Sequence, residues 1–285
     1  MPKQTLYFTH PADLSLRMNQ LVIQKDSESE TIVRAIEDIS IIIVDHHSVH
    51  LTVPLLNKLS ENNIAVVFCN NRHIPVSMLL DMESNVLQTK YYRAQIDASK
   101  PLKKQLWKQV VERKIRNQQN LLSKLEISDS ILRPYYSNVR SGDSTNREAI
   151  ASKVYWRLLF GKDFIRDRFG PHPNGLLNYG YSILRAFVSR AIMDSGLLPS
   201  IGIFHRNYYN SFTLADDLME PYRPFIDEIV YSLYKENSTV TAKVKTMVVN
   251  LFYSAISFED LSSTTRSLAL ALSKEGNYLY FPELK

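Results

Sequence analysis

The sequence predicts an α+β protein: a small β-rich domain over residues 1–84, a linker at 85–100 and a larger all-α domain over residues 101–285. Two observations predict this. Short β-branched runs crowd the first 80 or so residues, and apolar residues recur at helical spacing after residue 100.

Within the first part, "LVIQ", "TIVR", "SIIIVD", "VHLTV" and "IAVVFC" read as strands separated by polar turns such as "KDSESE" and "NNRH". One helix interrupts them. "TVPLLNKLSENN" offers Thr52 as an N-cap, a proline in the first turn and Leu55, Leu56 and Leu59 on one face.

After residue 100, "LKKQLWKQVVERKIRNQQNLLSKLE" carries an apolar stripe of Leu106, Val110, Ile115, Leu122 and Leu125. Lys103, Lys104, Lys108, Arg113, Lys114, Arg116 and Lys124 take up much of the remaining surface, either as a solvated face or as a phosphate-contacting one. Further helices are predicted at "STNREAIASKVYWRLLFG", "NGLLNYGYSILRAFVSRAIMDSG", "EPYRPFIDEIVYSLYKE" and "SSTTRSLALALSKEG".

Composition narrows the chemistry. The chain has 285 residues and 45% hydrophobic content, enough for a substantial core, and its 34 basic against 29 acidic residues mildly favour polyanionic partners. Cys69 is the single cysteine, which excludes a disulfide framework and Cys-based zinc modules and points to a cytoplasmic protein. The N-terminal stretch lacks a signal-peptide pattern, and no run approaches the roughly 20 apolar residues of a membrane span, so no membrane association is expected. All eight glycines lie at or after Gly142, and neither of the familiar glycine-rich nucleotide loops occurs.

The stretch with most chemistry is "FHRNYYNSFTLADDLMEPYRP" at 204–224. If "SFTLADDLME" is helical, Asp217 and Glu220 are i,i+3 neighbours and Asp216 and Glu220 i,i+4, with Pro221 and Pro224 preventing regular continuation. Like-charge pairs of this kind cost only about 0.2–0.5 kcal/mol each, so the cluster is either a helix end balanced by Arg206 and Arg223 or part of a cation site. Such a site requires a ligand from elsewhere, and a carboxylate–imidazole set suits Mg²⁺ or Mn²⁺. Glu148 is a candidate, although Thr145 and Glu148 also have the spacing of a capping box. His46, His47 and His50 in "VDHHSVH" lack the partners a zinc site needs, and His10, His73 and His172 read as loop residues.

Four segments in order, "NREAIASKVYWRLLFG", "NGLLNYGYSILRAFVSRAIMDSGLLPSIGIFH", "LADDLMEPYRP" and "FID", resemble the "Cas-one" family of CRISPR-adaptation integrases and endonucleases. The patterns N-Y-G-Y, G-L-x-P-x-x-G-x-x-H and D-L-M-E-P-[FY]-R-P carry the likeness, and the strand-rich start is similar to that family's β-domain. The resemblance implies Glu148, His205 and Glu220 as catalytic metal ligands for Mg²⁺ or Mn²⁺, with Asp217 as an auxiliary acid. Asp216 departs from the pattern, where the position is commonly small or apolar.

The implied activity is joining the 3′-OH ends of short captured DNA to a CRISPR repeat by transesterification, with no covalent enzyme intermediate. The implied partners are double-stranded DNA, a second copy through the β-domain and the small "Cas-two" protein. The short acidic motif resembles members from type II loci, which adds a ring-forming adaptation protein and the RNA-guided effector nuclease. Because captured fragments vary in sequence, DNA is expected to be held by its backbone. The candidates are Lys103, Lys104, Lys108, Arg157, Lys162, Arg166 and Arg168, with Tyr155 and Trp156 as possible base-stacking groups. Two rival readings are a structure-specific nuclease acting on branched DNA in repair and a non-enzymatic DNA-binding scaffold.

Overall fold

The computed structural model describes residues 4–25, 31–71, 75–79, 81, 85–236 and 241–285, so most of the first polar turn and His73 lie outside the described residues. The chain divides into two compact units, Met1–Ser84 and Asn85–Lys285.

The first unit is built from β1 (Gln4–Phe8), β2 (Ala12–Arg17), β3 (Gln20–Gln24), β4 (Thr31–Ala35), β5 (Ile39–Val44), β6 (Val49–Leu51), α1 (Val53–Glu61), β7 (Ala65–Cys69) and β8 (Pro75–Leu79). They form two four-stranded sheets, ordered β1-β5-β7-β8 and β4-β3-β2-β6. Strand β5 pairs in parallel with β1 and β7, and all six of its residues are buried, which accounts for its unbroken apolar run. Thr52 is the N-cap of α1 as expected, though its hydroxyl makes no capping bond. Leu55 and Leu59 point from α1 into a core with Leu14, Leu21, Ile42 and Val66. Strands β1, β2 and β8 were not expected. β1 and β8 are the edge strands of their sheet, and the half-buried edges of a sheet carry a weaker apolar signal.

The second unit contains α2 (Gln88–Asp97), α3 (Lys100–Lys124), α4 (Arg133–Tyr136), α5 (Arg147–Phe160), α6 (Asn174–Asp194), α7 (Thr213–Met219), α8 (Arg223–Lys235), α9 (Ala242–Ala255) and α10 (Phe258–Leu272). No helix among the described residues is long and apolar enough to cross a membrane. The expected linker is mostly α2, and it is fastened to the helical unit. The buried Gln95 amide donates to the carbonyls of Leu198 and Ile201 and accepts from the Leu198 N–H. A helix anchored by an amide rather than an apolar stripe offers no periodicity to read.

Helix α3 is the spine of this unit, packing against α4, α5 and α8. It is buried well beyond its apolar stripe. Lys114, Asn117, Gln118 and Gln119 are all inside, so the basic run is not one continuous solvated face. Lys114 and Asn117 are tolerated there because long-range partners satisfy them, and Gln119 because nearer ones do. Asn117 Nδ2 donates to the Pro221 carbonyl at 2.8 Å and to that of Pro282, and its Oδ1 accepts from the Leu284 N–H. The C-terminal segment is thereby laid along α3, with Arg113 pairing to Glu283 at 2.6 Å.

One motif position is explained by close packing. A Cβ at Gly180 would stand 2.4 Å from Ile226 Cγ2, so only glycine lets α6 lie this close to α8. Beside it, Tyr181 and Tyr155 both donate their hydroxyls to the buried Asp227 carboxylate, whose pKa burial pushes up to about 6. Tyr155 is therefore a core residue and not a stacking surface. α7 ends at Met219, just before Pro221 and Pro224, which prevent its regular continuation as expected. They occupy the opening turns of a 3₁₀ segment (Glu220–Tyr222) and of α8, where a missing N–H costs nothing, so the chain re-initiates rather than stops.

Candidate active site

Glu148 enters from the first turn of α5. Its side chain is not a cap: Asp143 accepts from the backbone N–H groups of Arg147 and Glu148 at 2.7 and 3.0 Å and does that work. Asn146 precedes the helix with φ 52°, and the Thr145 hydroxyl is buried without a hydrogen-bond partner, so the T-x-x-E capping box does not form. The Glu148 carboxylate is left to reach inward, where Oε1 lies 2.5 Å from Lys114 Nζ.

Glu220 arrives from the C-terminal end of α7 and is buried. Its Oε1 pairs with Arg223 at 3.0 Å, and its Oε2 lies 2.5 Å from the same Lys114 Nζ. That second oxygen is buried, and the Lys114 ammonium is its close partner. Both carboxylate oxygens thus face one point, within twice 2.5 Å of each other. Burial acts to raise the Glu220 pKa, but Arg223 and Lys114 outweigh it and hold the carboxyl below its usual range. Burial likewise works against the Lys114 ammonium, and Glu220 and Glu148 overcome it, keeping the pKa above the ordinary lysine value.

His205 follows a tight turn that requires glycine: a Cβ on Gly202 would meet the His205 carbonyl at 2.6 Å and Asp217 Oδ2 at 2.8 Å. Asp217, fully buried on α7, organises this turn. Its Oδ2 accepts from the N–H groups of Ile203 and Phe204 at 2.7 and 2.9 Å, and its Oδ1 accepts from the His205 N–H. The same Oδ1 lies 2.5 Å from His205 Nδ1. A carboxylate accepts only, so Nδ1 carries the proton and Nε2 is the ring nitrogen that Asp217 does not engage. The imidazole is 46% exposed. Its pKa is raised, first by the Asp217 hydrogen bond and further by the charges of Asp217, Glu220 and Glu148. Trp107 on α3 props the turn, stacking on Phe204 at 4.3 Å and meeting the His205 ring edge-on.

Asp216 points elsewhere, to Arg185 at 2.6 Å and to Asn210 at 2.6 Å. The candidate donors are therefore two carboxylates that face one point and one imidazole near enough to feel their charge, a set of ligand types that suits a hard divalent cation. As placed, no three His, Cys, Asp or Glu side chains among the described residues stand close enough to hold one. The positive charge between Glu148 and Glu220 is Lys114. Its position in the charge run of α3 concealed this role, because adjacent lysines on the same helix do face outward.

The candidate DNA contacts separate on inspection. Lys103 lies near Arg206, and burial and that neighbouring charge together lower its pKa. Lys104 is exposed, and Lys108 is half-buried and 3.5 Å from Glu112. Arg157, Lys162 and Arg168 are exposed, but Arg157 is nine residues beyond Glu148 and so on the opposite face of α5. Arg166 is tied down inside the unit, donating to Asn174 at 3.0 Å and to Asn178 at 2.7 Å. Trp156 packs into an aromatic cluster with Phe160 and Phe164. In the β-rich unit, His50 pairs with Asp13 at 2.8 Å and His46 Nδ1 accepts from the Ser48 N–H, so these histidines have local roles.

Residues 6–248 match the family model described as CRISPR associated protein Cas1. The chain is 37% identical over 264 residues to the CRISPR-associated endonuclease Cas1 of Neisseria meningitidis serogroup C, covering 91% of this chain and 86% of that protein. In solved structures it is similar to a casposase bound to integration product, with a TM-score of 0.82, 25% identity, and coverage of 100% of this chain and 95% of that one. A Cas6-RT-Cas1–Cas2 complex shares the fold at a TM-score of 0.75 and 19% identity, with 99% of this chain matching 36% of that one.

Proposed function

The chain belongs to the CRISPR-associated Cas1 family, and from that premise we propose that it is a divalent-cation-dependent DNA integrase and endonuclease that joins 3′-OH ends of short captured fragments to a CRISPR repeat. The observation that carries this reading is that Glu148 and Glu220, from two separate segments, face one point, with His205 close enough for both of their charges to raise its pKa. These residues fit Mg²⁺ or Mn²⁺ in kind, because they supply two carboxylates that face one positively charged point and an imidazole whose Nδ1 is taken by Asp217, leaving Nε2 as the ring's donor atom. When bound, the cation supplies Lewis-acid polarisation of the attacked phosphodiester and stabilises the leaving 3′-oxygen.

The chain's own residues position that chemistry. Arg223 fixes one oxygen of Glu220, Asp217 fixes the imidazole tautomer, and Trp107 braces the turn. The donor 3′-oxygen forms a bond to phosphorus as the target strand's P–O3′ bond breaks. The donor's proton leaves to solvent and the released 3′-oxygen takes one up. No enzyme nucleophile is needed.

Joining is expected from a duplex with free 3′-OH ends and not from one ending in dideoxynucleotides, measured on labelled target DNA with Mn²⁺. Hydrolysis without joining would instead favour a nuclease for branched DNA. The partners we propose are double-stranded DNA, a second copy through the β-rich unit and the Cas2 protein, in line with the relative found in a Cas1–Cas2 complex. A type II setting further adds a ring-forming adaptation protein and the RNA-guided effector nuclease. Backbone binding by the α3 edge near Arg206 leads to a separate expectation. Changing Lys103, Lys104 and Lys108 together to alanine should weaken binding to unrelated duplexes alike and reduce the salt slope by about 0.9 per lost phosphate contact. An unchanged slope would assign these lysines to solvent.

A further inference from the structure

The two carboxylates that would hold a cation already have one. Lys114 Nζ lies 2.5 Å from both Glu148 Oε1 and Glu220 Oε2, and its side chain is only 8% exposed. Arg223 adds a second positive charge at Glu220 Oε1. Two acids therefore face two bases, and the cluster is neutral before any ion arrives. A divalent ion entering that neutral cluster must take the carboxylate oxygens from a buried ammonium, whose like charge stays nearby. The displaced ammonium needs a new anionic partner, and a DNA phosphodiester at the same site supplies one.

We propose that Lys114 is a built-in counter-cation that a divalent ion must displace, so that the free protein binds the ion weakly and takes it up together with a phosphodiester. The inference rests on the cation-dependent reading above and extends it to the order of binding. By linkage, the phosphodiester tightens the ion as much as the ion tightens the phosphodiester.

The test is a Mn²⁺ titration followed by the EPR signal of free Mn²⁺. It uses wild type, Lys114→Gln and the charge-conserving Lys114→Arg, each with and without a short duplex whose 3′ ends are dideoxy-terminated. Wild type is expected to bind Mn²⁺ about tenfold or more tightly with the duplex present, and Lys114→Gln to show a gain of that order with no DNA at all. Lys114→Arg should stay near wild type. Should Lys114→Gln be unfolded without metal, Mn²⁺ is expected to restore its thermal transition, because the ion replaces the missing charge between the acids. Equal Mn²⁺ affinity in wild type and Lys114→Gln, a wild-type affinity indifferent to the duplex, or no rescue of an unfolded variant would each overturn the proposal. Absence of Mn²⁺ binding by every protein, with or without DNA, would overturn the cation-dependent reading itself.

Discussion

Glu148→Gln and Glu220→Gln are expected to bring strand joining below detection, as is His205→Ala, while Thr145→Ala keeps close to the wild-type rate. The glutamines preserve shape and remove the charge. Alanine at Glu220 is the poorer test, because it deletes the partner shared by the half-buried Arg223 and the buried Lys114 and so costs stability as well. The contrast with a capping role is sharp here. Asp143 makes the capping bonds to the Arg147 and Glu148 N–H groups, so Asp143→Ala should cost about 1 kcal/mol of stability, whereas Glu148→Gln leaves those bonds intact. The measurement is the initial joining rate at saturating Mn²⁺, with thermal unfolding in parallel. Near-normal joining by folded Glu148→Gln or Glu220→Gln would remove the basis for the metal-ligand assignment.

How far the sequence could be read follows from the range of the interactions involved. Strand β5 was legible because all its residues are buried and all but Ser40 are aliphatic, and α6 because its apolar residues recur over six turns. The acids of the D-L-M-E motif were legible because they are adjacent in sequence. Lys114 was not, since nothing local distinguishes it from Lys108 or Arg116. Its burial depends on Glu148, 34 residues on, and on Glu220 much further along. Glu148 had the reverse problem: the local T-x-x-E spacing offered a plausible cap, and only the placement of Asp143 shows that the cap is made by another side chain. The amides of Gln95 and Asn117 were opaque for the same reason, because their partners lie more than a hundred residues away.

Asp217→Asn is expected to lower joining by about ten- to a hundredfold, the usual range for a residue that orients a metal-binding histidine, whereas Asp216→Ala stays near wild type. The two neighbours differ in what they hold. Asp216, largely buried itself, faces Arg185 and Asn210. Asp217 accepts from three backbone N–H groups and from His205 Nδ1, so an asparagine amide must turn a donor toward at least one donor. Asp217→Ala removes every acceptor at once and is expected to cost stability as well, at about 1–3 kcal/mol for each buried donor left unsatisfied. A pH profile separates orientation from general loosening. The Asp217 hydrogen bond is the first cause of the raised His205 pKa, favouring the protonated ring. Removing the carboxylate's charge lowers that pKa, so the acid limb of joining by Asp217→Asn should move to lower pH even as the maximum rate falls. A variant that loses rate with an unmoved acid limb would mean that Asp217 supports the turn without acting on His205, and a dead Asp216→Ala would mean that the motif's first acid, not its second, serves the site.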